Sequence, residues 1–158
     1  MKKIKDLFKV KNTPKSKLKQ AILDNNITLL QYYLNNLSVN INERDANYHT
    51  LLDIACLNRR IAIMKLLVEY NARLGILLFQ IESEAQFTAI IDDLHSVKYN
   101  FNNVDQLGFT PIYYAHIMGF SKVYNKLISY NAKELNVNIK SQDQNSGTKG
   151  YINLIGNA

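Results

Sequence analysis

Residues 45–72 read D-A-N-Y-H-T-L-L-D-I-A-C-L-N-R-R-I-A-I-M-K-L-L-V-E-Y-N-A, and residues 105–132 read D-Q-L-G-F-T-P-I-Y-Y-A-H-I-M-G-F-S-K-V-Y-N-K-L-I-S-Y-N-A. The two stretches lie sixty positions apart and share a pattern. Thr50 falls on Thr110, Ala55 on Ala115, Leu66-Leu67 on Lys126-Leu127, and Tyr70-Asn71-Ala72 on Tyr130-Asn131-Ala132. Self-similarity over this length is the mark of a stacked repeat array and outranks any short motif. Such arrays work mainly as extended binding surfaces.

The chain has 158 residues, which suits one domain with a sizeable core. Its formal net charge of +6 is unevenly distributed. Residues 1–19 hold eight lysines and one acid, Asp6, for +7, so the remainder sums to −1. Basic charge therefore belongs to an N-terminal leader, and the near-neutral repeat body is not expected to bind nucleic acid. The single cysteine, Cys56, excludes an intramolecular disulfide framework. No signal peptide is visible, and no run of about eighteen apolar residues suggests a membrane span. A cytoplasmic protein is the default expectation, with delivery into a host cell as the alternative.

Working outward, residues 1–16 read as a basic leader in which Ile4, Leu7 and Phe8 have helical spacing. Ser16 is positioned to cap a helix over 17–25, followed by a second over 27–36. Ala21 lies 34 residues before Ala55, which puts this pair in phase with the next. The second unit spans about 42–73, with helices at 51–58 and 61–70, and Asn71 closes the second in a left-handed turn. The third unit, 74–101, has a worn pattern, with helices expected at 75–81 and 84–95. The sixty-residue interval falls short of two periods of about 33 by some six residues. The fourth unit, 102–133, is the clearest copy. Residues 134–158 form a polar tail that is either disordered or folds Tyr151, Ile152, Leu154 and Ile155 back over the last unit.

These units resemble ankyrin repeats. The family pattern D-x-x-G-x-T-P-L-H-x-A-A, a later Gly and a closing G-A is met by Asp105, Gly108, Thr110, Pro111, Ala115, Gly119 and Asn131-Ala132. Asp45, Thr50, Leu52, Ala55 and Leu66-Leu67 meet it in the second unit. The resemblance covers about 17–133 and implies an all-α solenoid of helix-turn-helix units joined by short hairpin loops. The residue types fit physically: Thr caps a first turn, Pro sits where no N–H is needed, and Ala lets helices approach. Asp53 and Tyr113 replace the family His, Arg59 replaces a Gly expected to be left-handed at a cost of about 1 kcal/mol, and Tyr48 replaces a hairpin Gly.

Family members bind through hairpin tips and the exposed side of first helices. On this chain those positions include Leu23, Asn47, His49, Leu57, Asn58, Gln106, Leu107, Phe109, Ile117 and Met118. Leu23, Leu57 and Ile117 share one column, and Leu107, Phe109, Ile117 and Met118 are expected to form an exposed apolar cluster. Such clusters mark interaction sites, and an aromatic anchor beside Met suits a protein interface. The competing expectation is that the C-terminal tail covers it.

No catalytic residues, metal ligands or cofactor site are assigned. H-E-x-x-H, G-x-S-x-G and P-loop patterns are absent from the sequence. Cys56 occupies a small-residue position between helices and is expected to be a buried, inert thiol, and His116 is expected to pack within its helix. Glu82, Glu84, Asp92 and Asp93 form an acidic stretch, expected to be a solvated helix face. The functional expectation is a monomeric, non-catalytic module that binds one protein partner, as an inhibitor or immunity-type protein or else as an adaptor or effector. Recruitment to a membrane surface by the leader is a weaker third reading.

Overall fold

A computed structural model describes residues 13–134. Seven α-helices and one 3-10 turn follow in order: α1 Pro14–Leu23, α2 Ile27–Asn36, α3 Leu51–Leu57, α4 Ile61–Glu69, the turn Leu77–Gln80, α5 Glu84–Ser96, α6 Pro111–Ile117 and α7 Ser121–Ser129. The described residues contain no strand. The leader up to residue 12, with Ile4, Leu7 and Phe8, lies outside them. So does the tail from residue 135, with Tyr151, Ile152, Leu154 and Ile155.

The helices pair as α1 with α2, α3 with α4 and α6 with α7, and each first helix stacks on the next unit. Their inward stripe is one continuous core running from Leu18, Ile22 and Leu30 through Leu52, Met64 and Leu67 to Phe87, Ile91, Val123 and Leu127. No single helix pair could bury such a stripe alone, so the apolar area is removed from water by stacking. Ala21, Ala55 and Ala115 are fully buried, as close helix approach requires. The chain turns at helix ends through left-handed residues: Asn25, Arg59 and Gly119 after first helices, and Asn71, Lys98 and Asn131 after second helices. Asn and Gly tolerate this conformation well; Arg59 and Lys98 adopt it at a steric cost.

Two local expectations are corrected. The first helix starts at Pro14, not after Ser16. Thr13 is its N-cap, accepting from the Ser16 amide at 3.2 Å. Pro14 takes the first helical position, where its missing N–H is harmless. Thr50 caps α3 in a reciprocal box with Asp53, but Thr110 makes no side-chain cap over α6.

The worn third unit is short for a definable reason. Residues 37–50 and 97–110 connect α2 to α3 and α5 to α6, whereas 70–76 alone lead from α4 into the 3-10 turn. The hairpin is lost and the first helix is reduced to one tight turn. Its side chains Leu74, Leu77, Leu78 and Ile81 nevertheless remain buried, which keeps the core continuous. The unit is also strapped to its neighbours. Arg59 reaches Asp93 through two bonds of 2.9 and 2.8 Å, Lys126 and Tyr130 reach Asp92 at 2.7 and 2.9 Å, and the Lys122 amide donates to Glu84 at 2.9 Å. Asp92, Asp93 and Glu84 are therefore struts between units, not a free acidic face.

Candidate binding surface

The two hairpins are built by one repeated set of side-chain bonds. Asp45 Oδ1 accepts the amides of Asn47 (2.8 Å) and His49 (3.0 Å), and Asp105 Oδ1 accepts those of Leu107 (2.8 Å) and Phe109 (3.0 Å). At their base, Asn42 accepts from the Arg73 amide and Asn102 from the Lys133 amide, both at 2.7 Å. A short carboxylate or carboxamide satisfies loop amides that no helix or sheet could satisfy. The tip residues are thereby fixed within their loops.

The two aspartates differ in charge environment. Burial pushes the Asp45 carboxyl up, but the Lys19 ammonium at 2.9 Å and the loop amides outweigh it and hold it below its ordinary value. Burial dominates at Asp105, whose carboxyl is raised although Tyr114 Oη donates to it at 2.5 Å. Asp53, fully buried, is pushed up to about 6 by burial, against bonds from the Gly75 and Thr50 amides.

The ten candidate residues separate into three groups. Asn47 is exposed, and His49 is half-buried with Nε2 2.7 Å from Gln80 Oε1 of the 3-10 turn. Leu23, Leu57 and Asn58 are exposed at the far ends of α1 and α3, and the Leu23 carbonyl accepts from Arg60 at 3.1 Å. Asn58 turns its amide onto the Ile54 carbonyl at 2.8 Å. Gln106, Leu107, Phe109, Ile117 and Met118 are all half-buried. The expected exposed cluster of Leu107, Phe109, Ile117 and Met118 is corrected accordingly. Phe109, Ile117 and Met118 pack on the core, and Phe109 lies flat on Tyr113 at 4.4 Å between centroids. His116, expected to be packed, is exposed.

Sequence reading missed two features of this side of the molecule. Phe79, on the 3-10 turn, is 43% exposed and sits 6.3 Å from the Tyr114 ring, which in turn meets Phe109 at 5.9 Å. Repeat alignment could not find it, because its unit had lost the register. Gln106 reaches the Asn42 carbonyl, so the fourth hairpin contacts the second directly. Cys56 is buried, and burial raises its thiol well above the ordinary value, which disfavours the reactive thiolate. Among the described residues no group of three or more metal-ligating side chains gathers, and no helix is long and apolar enough to cross a membrane.

The family model for ankyrin repeats (many copies) matches residues 18–68. Over that segment the chain carries ankyrin repeats. The matched segment holds the first two units, and the Asp105, Asn102 and Asn131 geometry repeats the second unit's bonds in the fourth. No curated protein matches the chain. Ankyrin repeats are a protein–protein interaction module and typically non-catalytic.

Proposed function

We propose that this ankyrin array is a stoichiometric inhibitor, of the immunity type, that blocks a single protein partner by covering it. The supporting observation is preorganisation. Hairpin tips held by Asp45 and Asp105, and a fourth hairpin tied to Asn42 by Gln106, lose little freedom on binding. Binding surfaces that are already ordered avoid an entropic cost of about 0.5–1.5 kcal/mol per immobilised side chain, and slow dissociation follows. Inhibition needs that slow dissociation, with nanomolar affinity. The protein acts in the cytoplasm as a monomer.

One observation favours an adaptor instead. Leu23 and Leu57, together with Ile27 and Ile61 across the inter-helix loops, are exposed away from the hairpins. A second apolar face would let a second protein dock. The deciding experiment is capture of the partner on the full-length chain, followed by assay of the partner's own activity at rising molar ratio. Loss of activity saturating at one equivalent supports inhibition. Unchanged activity with a third protein recruited through the Leu23/Leu57 face, and lost in Leu57→Lys, supports the adaptor.

A further inference from the structure

The hairpin side is not uniform along the array, and its two ends differ in chemistry. Between the start of α1 and the second hairpin lies a groove of about 480 Å³ lined by Thr13, Lys15, Ser16, Lys19, Arg44, Asp45, Ala46 and Asn47. Its acid is already spent: Asp45 faces Lys19 and the loop amides. Arg44 has no carboxylate partner among the described residues, and its guanidinium is held 5.5 Å over the Tyr48 ring. Lys15 donates to the Arg44 carbonyl and pairs with the exposed Glu43 at 3.2 Å. A fixed guanidinium and an ammonium over a neutralised floor recognise carboxylates.

A chain of contacts leads from the groove toward the fourth unit. Asn47 in the groove is two residues from His49, and His49 meets Gln80, the neighbour of exposed Phe79. Phe79 packs on the buried Tyr114 ring, which on its other side meets Phe109 stacked on Tyr113. Because the third unit has no hairpin, nothing of its own rises between the basic groove and this ring ladder. Half-exposed aromatic rings held by neighbouring rings make low-entropy apolar anchors.

We propose that the partner presents one extended segment with acidic residues at one end and large apolar residues at the other. The acids lie over Lys15 and Arg44, and the apolar residues lie on Phe79, Phe109 and Tyr113. The inference rests on the reading of the hairpin side as the protein-binding face and names the chemistry that face selects.

The test uses four fluorescein-labelled twelve-residue peptides and the full-length chain, read by anisotropy at 50 and 300 mM NaCl. The peptides are acidic–aromatic, acidic–serine, neutral–aromatic and basic–aromatic. The acidic–aromatic peptide is expected to bind at least about tenfold more tightly than each of the others, and to weaken with salt. Arg44→Glu, on an exposed side chain, is expected to weaken it about tenfold and to reverse the preference toward the basic–aromatic peptide. Phe79→Ser is expected to weaken both aromatic peptides, with its fold checked by circular dichroism; Arg44→Glu keeps the test decisive if that variant unfolds.

Equal binding of basic and acidic peptides, or indifference to Arg44→Glu, overturns the proposal. Tighter binding of a single-stranded oligonucleotide or of phosphatidylserine vesicles through Arg44 also overturns it. Its failure is distinguishable from failure of the inhibitor reading. Peptides that bind as expected while the captured partner stays active sink inhibition alone. A partner inhibited with no peptide selectivity sinks only the segment.

Discussion

Asp53 ties three pieces of backbone together. It completes the cap of α3 with Thr50 and accepts the Gly75 amide at 2.9 and 3.0 Å, which fixes where the third unit leaves the second. Its carboxyl titrates near 6, against 3.8 ordinarily, because burial disfavours the charge. The folded state thus binds the proton more tightly than the unfolded chain. This contribution is fully present below about pH 4 and is lost as pH rises through 6, on the order of 3 kcal/mol in all. Urea titrations of wild type and Asp53→Asn should therefore diverge, with the wild type losing ground between pH 4 and 7. Asp45 and Asp92, whose carboxyls are lowered, act in the opposite sense but equally in both proteins. A pH-independent difference would show that Asp53 is not the titrating group. Gly75 has no room for a side chain, since a Cβ there would sit 2.4 Å from Asp53 Oδ2 and 3.0 Å from the Tyr48 carbonyl. Gly75→Ala should destabilise by about 1–3 kcal/mol, visible as a lower melting temperature. Tyr48 stands left-handed at φ 64°, where the fourth hairpin has Gly108 at φ 87°. Tyr48→Gly should raise stability by up to about 1 kcal/mol in denaturant melts. A loss would mean that the contact with Arg44 outweighs the strain.

At the scale of elements, the weak one is the 3-10 turn. Its flanking bonds are the Phe79 amide on Ile76 at 3.1 Å and the Ile81 amide on Leu78 at 3.4 Å. Amides of Leu77–Gln80 should exchange with deuterium faster than those of α3 and α5, although the Leu77 and Leu78 side chains are buried. Equal protection would show that the third unit opens only with the whole array. The sequence made the regular elements legible: α2 lies at Ile27–Asn36 as read, and Ala55 and Ala115 marked the packed faces. What it hid was non-local. Whether Phe109 and Met118 face water depends on how Tyr113 and the core pack, not on their place in a repeat. The role of Phe79 follows from a deletion that destroyed the register by which it would have been recognised.

At the scale of the molecule, the array is held by its core and by struts that run from unit to unit, so one end supports the other. Charge on the proposed binding face is segregated, with cations beside α1 and rings at α6. A salt series on the captured complex should therefore shift affinity through association rate, and Arg44→Glu should flatten that dependence. The same architecture carries a mechanical consequence. Stacked helical units pulled from their ends ordinarily peel away in succession, each contacting only its neighbours. Here Gln106 grips Asn42 across the shortened unit, while Arg59–Asp93 and Lys126–Asp92 clasp that unit from either side. Under tension in an optical trap, residues 42–133 should let go in a single rip that releases about 300 Å of extended chain.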